Sequence, residues 1–140
     1  MKTAKLIIGI DTGVNTGFAI WDKTRRCLDR VETMKIHEAM NTVRALSMFE
    51  DTVLLVRVED ARQRKWFGKA GKEQLQGAGS IKRDATIWED FLKDYEIPFE
   101  MVAPKNNKTK LTGEAFRKLT KWDKRTSVHS RDAAMLVYGY

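Results

Sequence analysis

Three carboxylates and one imidazole stand where chemistry would need them. Asp11 closes the apolar run Leu6-Ile7-Ile8-Gly9-Ile10, and Glu59 follows the run Val53–Val58. His129 and Asp132 are three residues apart near the end of the chain, a spacing that puts both on one face of a helix. Ala133 and Leu136 continue that face, so a carboxylate and an imidazole share an otherwise apolar stripe. An ionised Asp there needs a cation or a strong hydrogen-bonding partner. Convergence of Asp11, Glu59 and Asp132 would set three like charges together, which is unfavourable unless divalent cations neutralise them. Carboxylates are hard oxygen donors, so Mg²⁺ is the expected metal, with Mn²⁺ able to substitute. Two such ions can activate a water and stabilise the leaving 3′-oxygen at a phosphodiester. His129 would ligate metal or position the water. Each residue alone also has an ordinary reading: Asp11 as a turn or cap residue before Thr-Gly, Glu59 as a partner of Arg57 or Arg62, His129 as a structural histidine.

The elements that must position these groups can be read from periodicity. Lys5–Asp11 is a buried strand, and Thr16–Asp22 follows after a hairpin-length turn. Cys27–Thr33 supplies a third strand. From Ile36 to about Glu50 the stripe Ile36, Met40, Val43, Leu46 is helical. Val53–Val58 is a central strand, so Glu59 and Asp11 both sit at strand ends. A basic loop spans Ala61–Lys72, and a helix runs from about Glu73 to Tyr95 and stops before Pro98. Phe99–Ala103 is a short strand, Pro104–Thr112 a lysine-rich loop, and a short basic helix follows Gly113. Ser127 caps a final helix reaching Tyr140. The order predicts an α/β fold: a mixed five-stranded sheet, three antiparallel strands then parallel ones, flanked by helices. Such sheets bind ligands beyond the carboxyl ends of their central strands.

Charge points to the partner. The 140 residues carry 26 Lys+Arg against 19 Asp+Glu, and the net +7 is concentrated: residues 57–83 hold +5 and residues 104–125 hold +6. A segregated basic face predicts nucleic acid. Aromatics lie in both segments, Trp66-Phe67 and Trp122, where they could stack on bases or pack internally. The single Cys27 excludes an internal disulfide, and with two His it cannot build a zinc finger. The N-terminal apolar run is too short for a signal peptide or membrane span. One domain over residues 1–140, soluble and cytoplasmic, with no membrane association, is the expectation.

With these residues in view, the chain resembles RuvC-type Holliday junction resolvases. Ile8-Gly9-Ile10-Asp11-Thr12-Gly13 with Thr16-Gly17 is similar to their opening strand, turn and second strand. Val58-Glu59-Asp60 resembles their second acidic strand end, Val102 through Gly113 their basic loop, and His129-Ser130-Arg131-Asp132-Ala133-Ala134 their terminal helix. The shortness of the chain and its basic loop Arg62–Gly68 resemble compact phage members. The resemblance implies a ribonuclease H-like fold, a homodimer and Mg²⁺-dependent paired nicking of four-way DNA junctions, with other branched DNA as further substrates. Asp11, Glu59, His129 and Asp132 form the implied catalytic and metal-binding set. Arg62, Arg64, Lys65, Trp66, Phe67, Lys105, Lys108, Lys110 and Lys118 are the expected DNA-binding residues. On the long helix from about Glu73 to Tyr95, the glycine-rich start and a second stripe of Ile87 and Phe91 could serve a partner subunit or simply pack on the sheet.

Rival readings remain. Asp11-x-Gly13-x-x-x-Gly17 also looks like the first phosphate loop of actin and sugar-kinase proteins, but these need two such domains and no second loop is present. No nucleotide cofactor is therefore expected. A ribonuclease H-like RNA–DNA hybrid nuclease shares the same site, and a non-catalytic branched-DNA-binding module would share only the basic surface.

Overall fold

In the computed structural model, residues 5–49, 51–63, 72–104 and 111–140 are described. Five strands form one sheet: β1 (Leu6–Asp11), β2 (Asn15–Asp22), β3 (Cys27–Lys35), β4 (Val53–Glu59) and β5 (Phe99–Val102). Their spatial order is β3-β2-β1-β4-β5. The β1–β2 and β2–β3 pairs are antiparallel, and the β1–β4 and β4–β5 pairs are parallel. This is the mixed sheet predicted from the element order. Among the described residues the α-helices are α1 (Ile36–Ser47), α2 (Lys72–Asp94), α3 (Gly113–Thr120) and α4 (Val128–Val137), with a single 3-10 turn at Ala61–Gln63.

Every residue of β1 is buried, as expected of a central strand covered on both faces. The twofold alternation of a strand divides its side chains between two cores. Leu6, Ile8 and Ile10 join Phe18, Ile20, Val56 and Val58 beneath α1 and α2, where Ala39, Val43, Trp88 and Leu92 cover them. Ile7 joins Ala19, Trp21 and Val31 on the other face, beneath Phe116 of α3 and Ala133, Ala134, Leu136 and Val137 of α4. By this parity Asp11 and Glu59 belong to the face that α4 covers.

Element ends differ slightly from expectation. β3 continues to Lys35 because Thr33, Met34 and Lys35 still find partners in Gly17, Thr16 and Asn15. The final helix stops at Val137, where Tyr138 turns out of helical geometry and Gly139 takes a φ of 86°. Its start is as predicted: the Ser127 side chain accepts from the Ser130 backbone N–H, a cap contributing about 1 kcal/mol. No helix among the described residues is long and apolar enough to cross a membrane.

Candidate active site

The β1–β4 register runs from Ile7 beside Leu55 to Ile10 beside Val58. One step further, Asp11 and Glu59 end neighbouring parallel strands, whose backbones lie about 4.8 Å apart. Asp11 is buried, at 8 % exposure, and Glu59 is half-buried.

Helix α4 reaches these strand ends because two glycines let it lie directly on the sheet. A Cβ on Gly17, the register partner of Asp11, would fall 2.0 Å from the His129 carbonyl oxygen and 3.0 Å from the Asp11 Cβ. A Cβ on Gly9 would fall 2.2 Å from the Ala133 carbonyl oxygen. These approaches place the start of α4 at the carboxyl end of β1 and run the helix back along the strand. The Ser127 hydroxyl also hydrogen-bonds Thr33 Oγ1, which tethers the same helix start to β3.

His129 is thereby brought to Asp11, with Nδ1 and Oδ2 3.0 Å apart. An ionised carboxylate can only accept, so Nδ1–H donates and Nε2 is the ring nitrogen left for a water or a metal ion. The imidazole is about half exposed, whereas the Asp11 side chain is 11 % exposed. Asp132 lies nearly one turn beyond His129 and is half-buried. The structure thus brings His129 to Asp11 and sets Glu59 at the end of the neighbouring strand, while Asp132 follows His129 on α4.

The donor chemistry suits Mg²⁺ or Mn²⁺, since three carboxylates and an imidazole nitrogen offer hard or borderline ligands. Among the described residues, no three His, Cys, Asp or Glu side chains close on one point. The candidate donors lie on three elements, β1, β4 and α4.

The next acidic residue, Asp60, has a different task. Its carboxylate accepts from the Arg62 Nε and backbone N–H at 2.8 and 3.0 Å, and from Gln63 Nε2 at 3.0 Å. Burial would push this carboxyl up, but those hydrogen bonds and the Arg62 charge outweigh it and hold it below the ordinary range. Arg62 also donates to Glu89 at 3.0 Å, and both carboxylates raise its pKa further above the usual value. Arg62 is expected from sequence at the DNA surface; its guanidinium instead faces Asp60, Thr86 and Glu89 and joins the end of β4 to α2. Arg57 likewise turns to Glu100 and the Leu136 carbonyl.

Of the other expected DNA-binding residues, Lys118 is exposed on α3. Arg64, Lys65, Trp66, Phe67, Lys105, Lys108 and Lys110 lie outside the described residues. Trp122 is half-buried against the α3–α4 core, with Lys124 Nζ 5.4 Å from its ring centre, which favours packing over base stacking. The sequence reading missed Gly9 and Gly17 as the seat of α4. Their signal was available: both fall on the same parity as Asp11 on adjacent strands.

No family model matches the chain, and no curated protein matches it. Among solved structures it is similar to T. thermophilus RuvC in complex with a Holliday junction substrate, at 16 % identity and a TM-score of 0.56. The match covers 94 % of this chain and 89 % of that one. Strand order, mixed pairing and this overlay agree: the chain has the ribonuclease H-like fold of RuvC.

Proposed function

We propose that this chain is a structure-selective DNA endonuclease that resolves four-way junctions, and cuts other branched DNA, by divalent-metal-dependent phosphodiester hydrolysis with paired nicks. The observation that carries the reading is the His129–Asp11 pairing, with Asp11 and Glu59 ending neighbouring parallel strands and Asp132 on the helix that bears His129. It occurs in a fold shared over nearly the whole chain with a protein solved on a Holliday junction. Asp11, Glu59 and Asp132, with His129, would hold the metal, which when bound supplies Lewis acidity to ionise a water and to take up charge on the leaving 3′-oxygen. The chain's own part is to orient Asp11 through the His129 hydrogen bond, since hydrogen bonds to a ligating carboxylate commonly fix its direction. Lys118 and the basic segments 64–67 and 105–110 would hold the phosphates, with Trp66 or Phe67 against the branch point.

Two cuts across a twofold junction require two sites related by similar symmetry, so the active form is read as a homodimer. The exposed Ile87 of α2 and Tyr95 just beyond it support that helix as the contact face.

The test is a nicking assay on a labelled four-way junction, a linear duplex and an RNA–DNA hybrid, with Mg²⁺ or EDTA, using wild type and Asp11→Asn. Paired nicks confined to branched DNA, absent with EDTA and in Asp11→Asn, are expected. Cutting of the hybrid alone would assign a ribonuclease H-like activity. Tight junction binding without cleavage would assign a binding module.

A further inference from the structure

Arg131 sits in the first turn of α4, between His129 and Asp132. A guanidinium there faces the positive end of the helix dipole, where acidic side chains are favoured, so its placement needs compensation from its hydrogen bonds. Those bonds are specific. Its Nε donates to the Leu111 carbonyl at 2.9 Å, and its Nη1 donates to the Thr126 carbonyl at 3.3 Å and to Thr126 Oγ1 at 2.9 Å. Leu111 immediately precedes Thr112, the N-cap of α3, and Thr126 immediately precedes Ser127, the N-cap of α4. One guanidinium therefore joins the starts of both helices and closes residues 111–126 into a loop whose ends meet on α4.

The closed segment has a fixed inside and a cationic outside. Phe116 is buried in the second core, and the Tyr138 hydroxyl donates to the Leu119 carbonyl at 3.0 Å. Arg117, Lys118, Lys121, Lys124 and Arg125 are all exposed. Against Glu114 and Asp123 they leave the segment at net +3. Repeated cations on a segment anchored at both ends form a surface for a phosphate backbone, because neutralising phosphates releases counterions.

We propose that Arg131 is a positioning residue that suspends the cationic 111–126 segment from α4, coupling its grip on DNA phosphates to the helix bearing His129 and Asp132. The choice of DNA as ligand rests on the function proposed above; the bracket itself does not. Only a planar fork with donors in two directions serves both ends, and the single ammonium of a lysine does not.

Arg131→Lys keeps the charge and removes the fork, and Arg131→Gln checks the result without the charge. Three measurements apply: amide hydrogen exchange of the DNA-free protein, the salt needed for elution from heparin, and four-way-junction binding across a salt series alongside turnover at saturating DNA. In both variants residues 111–126 are expected to exchange faster while β1, β2 and β4 stay protected. Elution from heparin should come at lower salt, and the junction Kd should rise roughly fivefold with a shallower salt slope. Turnover at saturating DNA should stay within about twofold of wild type, a KM-against-kcat split that general destabilisation would not produce. Unchanged exchange in 111–126 overturns the bracket. Faster exchange with unchanged heparin elution overturns its role in phosphate binding. A wild type that binds heparin but no branched DNA removes the proposed function, while the exchange and heparin comparisons still decide the role of Arg131.

Discussion

His129 Nδ1 lies 3.0 Å from Asp11 Oδ2 across 118 positions of sequence. The pairing depends on backbone meeting backbone beneath it, since the His129 carbonyl occupies the space that a side chain at position 17 would fill. The hydrogen bond orients a buried carboxylate from a half-exposed ring, an arrangement that restrains Asp11 without closing the site.

Removing this restraint should weaken the metal response while leaving the DNA surface intact. His129→Ala is expected to lower nicking about 10- to 100-fold and to raise the Mg²⁺ concentration needed for half-maximal rate. Junction affinity, read by gel shift in EDTA, should stay close to wild type. An unchanged Mg²⁺ dependence would make the His129–Asp11 hydrogen bond purely structural.

Gly17→Ala should destabilise the protein by at least about 1–3 kcal/mol, because the new methyl group meets immobile backbone and α4 has to shift. Gly9→Ala should behave alike for the same reason. Gly79→Ala is the contrasting case: a Cβ there meets nothing within 4 Å among the described residues. Placed within α2, it should gain roughly 0.5–1 kcal/mol through helix propensity. Urea denaturation of the three variants separates these outcomes.

The Asp60–Arg62 bracket gives a pH prediction. The Asp60 carboxyl is held below its ordinary value of 3.8 in the folded protein. Its contribution to stability is therefore fully present above the unfolded value and is lost as pH falls through the lower folded value. Arg62→Gln should cost roughly 1–3 kcal/mol at neutral pH by leaving a buried carboxylate poorly satisfied. The gap between variant and wild type should shrink below about pH 4, as protonated Asp60 ceases to need the guanidinium. Asp22, whose carboxyl is also held low, by Arg25 and the nearby backbone N–H groups against its own burial, titrates in both proteins and cancels. A gap independent of pH would remove the charge from the explanation.

Lys105 and Lys108 are expected at the phosphates on sequence grounds. The double Gln variant should bind junctions more weakly, with log Kd varying less steeply with log salt by about 0.9 for each duplex phosphate no longer neutralised. Turnover at saturating DNA should be preserved. An unchanged slope would take both lysines off the DNA surface.

Much of the architecture was legible because its signals are local. The dense apolar runs at residues 6–10 and 53–58 marked two strands, the first buried throughout and the second buried at Val56 and Val58; the Thr-Gly turn after Asp11 marked the hairpin, and Ser127 marked a helix start. Strand parity even carried part of the site, since alternation alone puts Asp11 and Glu59 on the same side as Ile7 and Ala19. The division of labour among similar residues was not legible. Glu59 and Asp60 are adjacent acids, yet Asp60 is held by Arg62 and Gln63. Arg62 and Lys118 are both basic, yet one braces β4 against α2 and the other stays exposed.

The sequence by itself determined the order of strands and helices, the basic charge of the chain, and four residues with chemistry to offer, Asp11 and Glu59 at strand ends and His129 and Asp132 on the last helix. Periodicity, caps and composition act over a few residues, so one chain suffices to read them. Tertiary structure decided which of these groups meet. The seating of α4 on Gly9 and Gly17, the His129–Asp11 hydrogen bond and the Arg131 bracket all join residues distant in the chain or in different elements. Such meetings follow from how closely two backbones can approach, a property of the packed fold that spacing along the chain does not record.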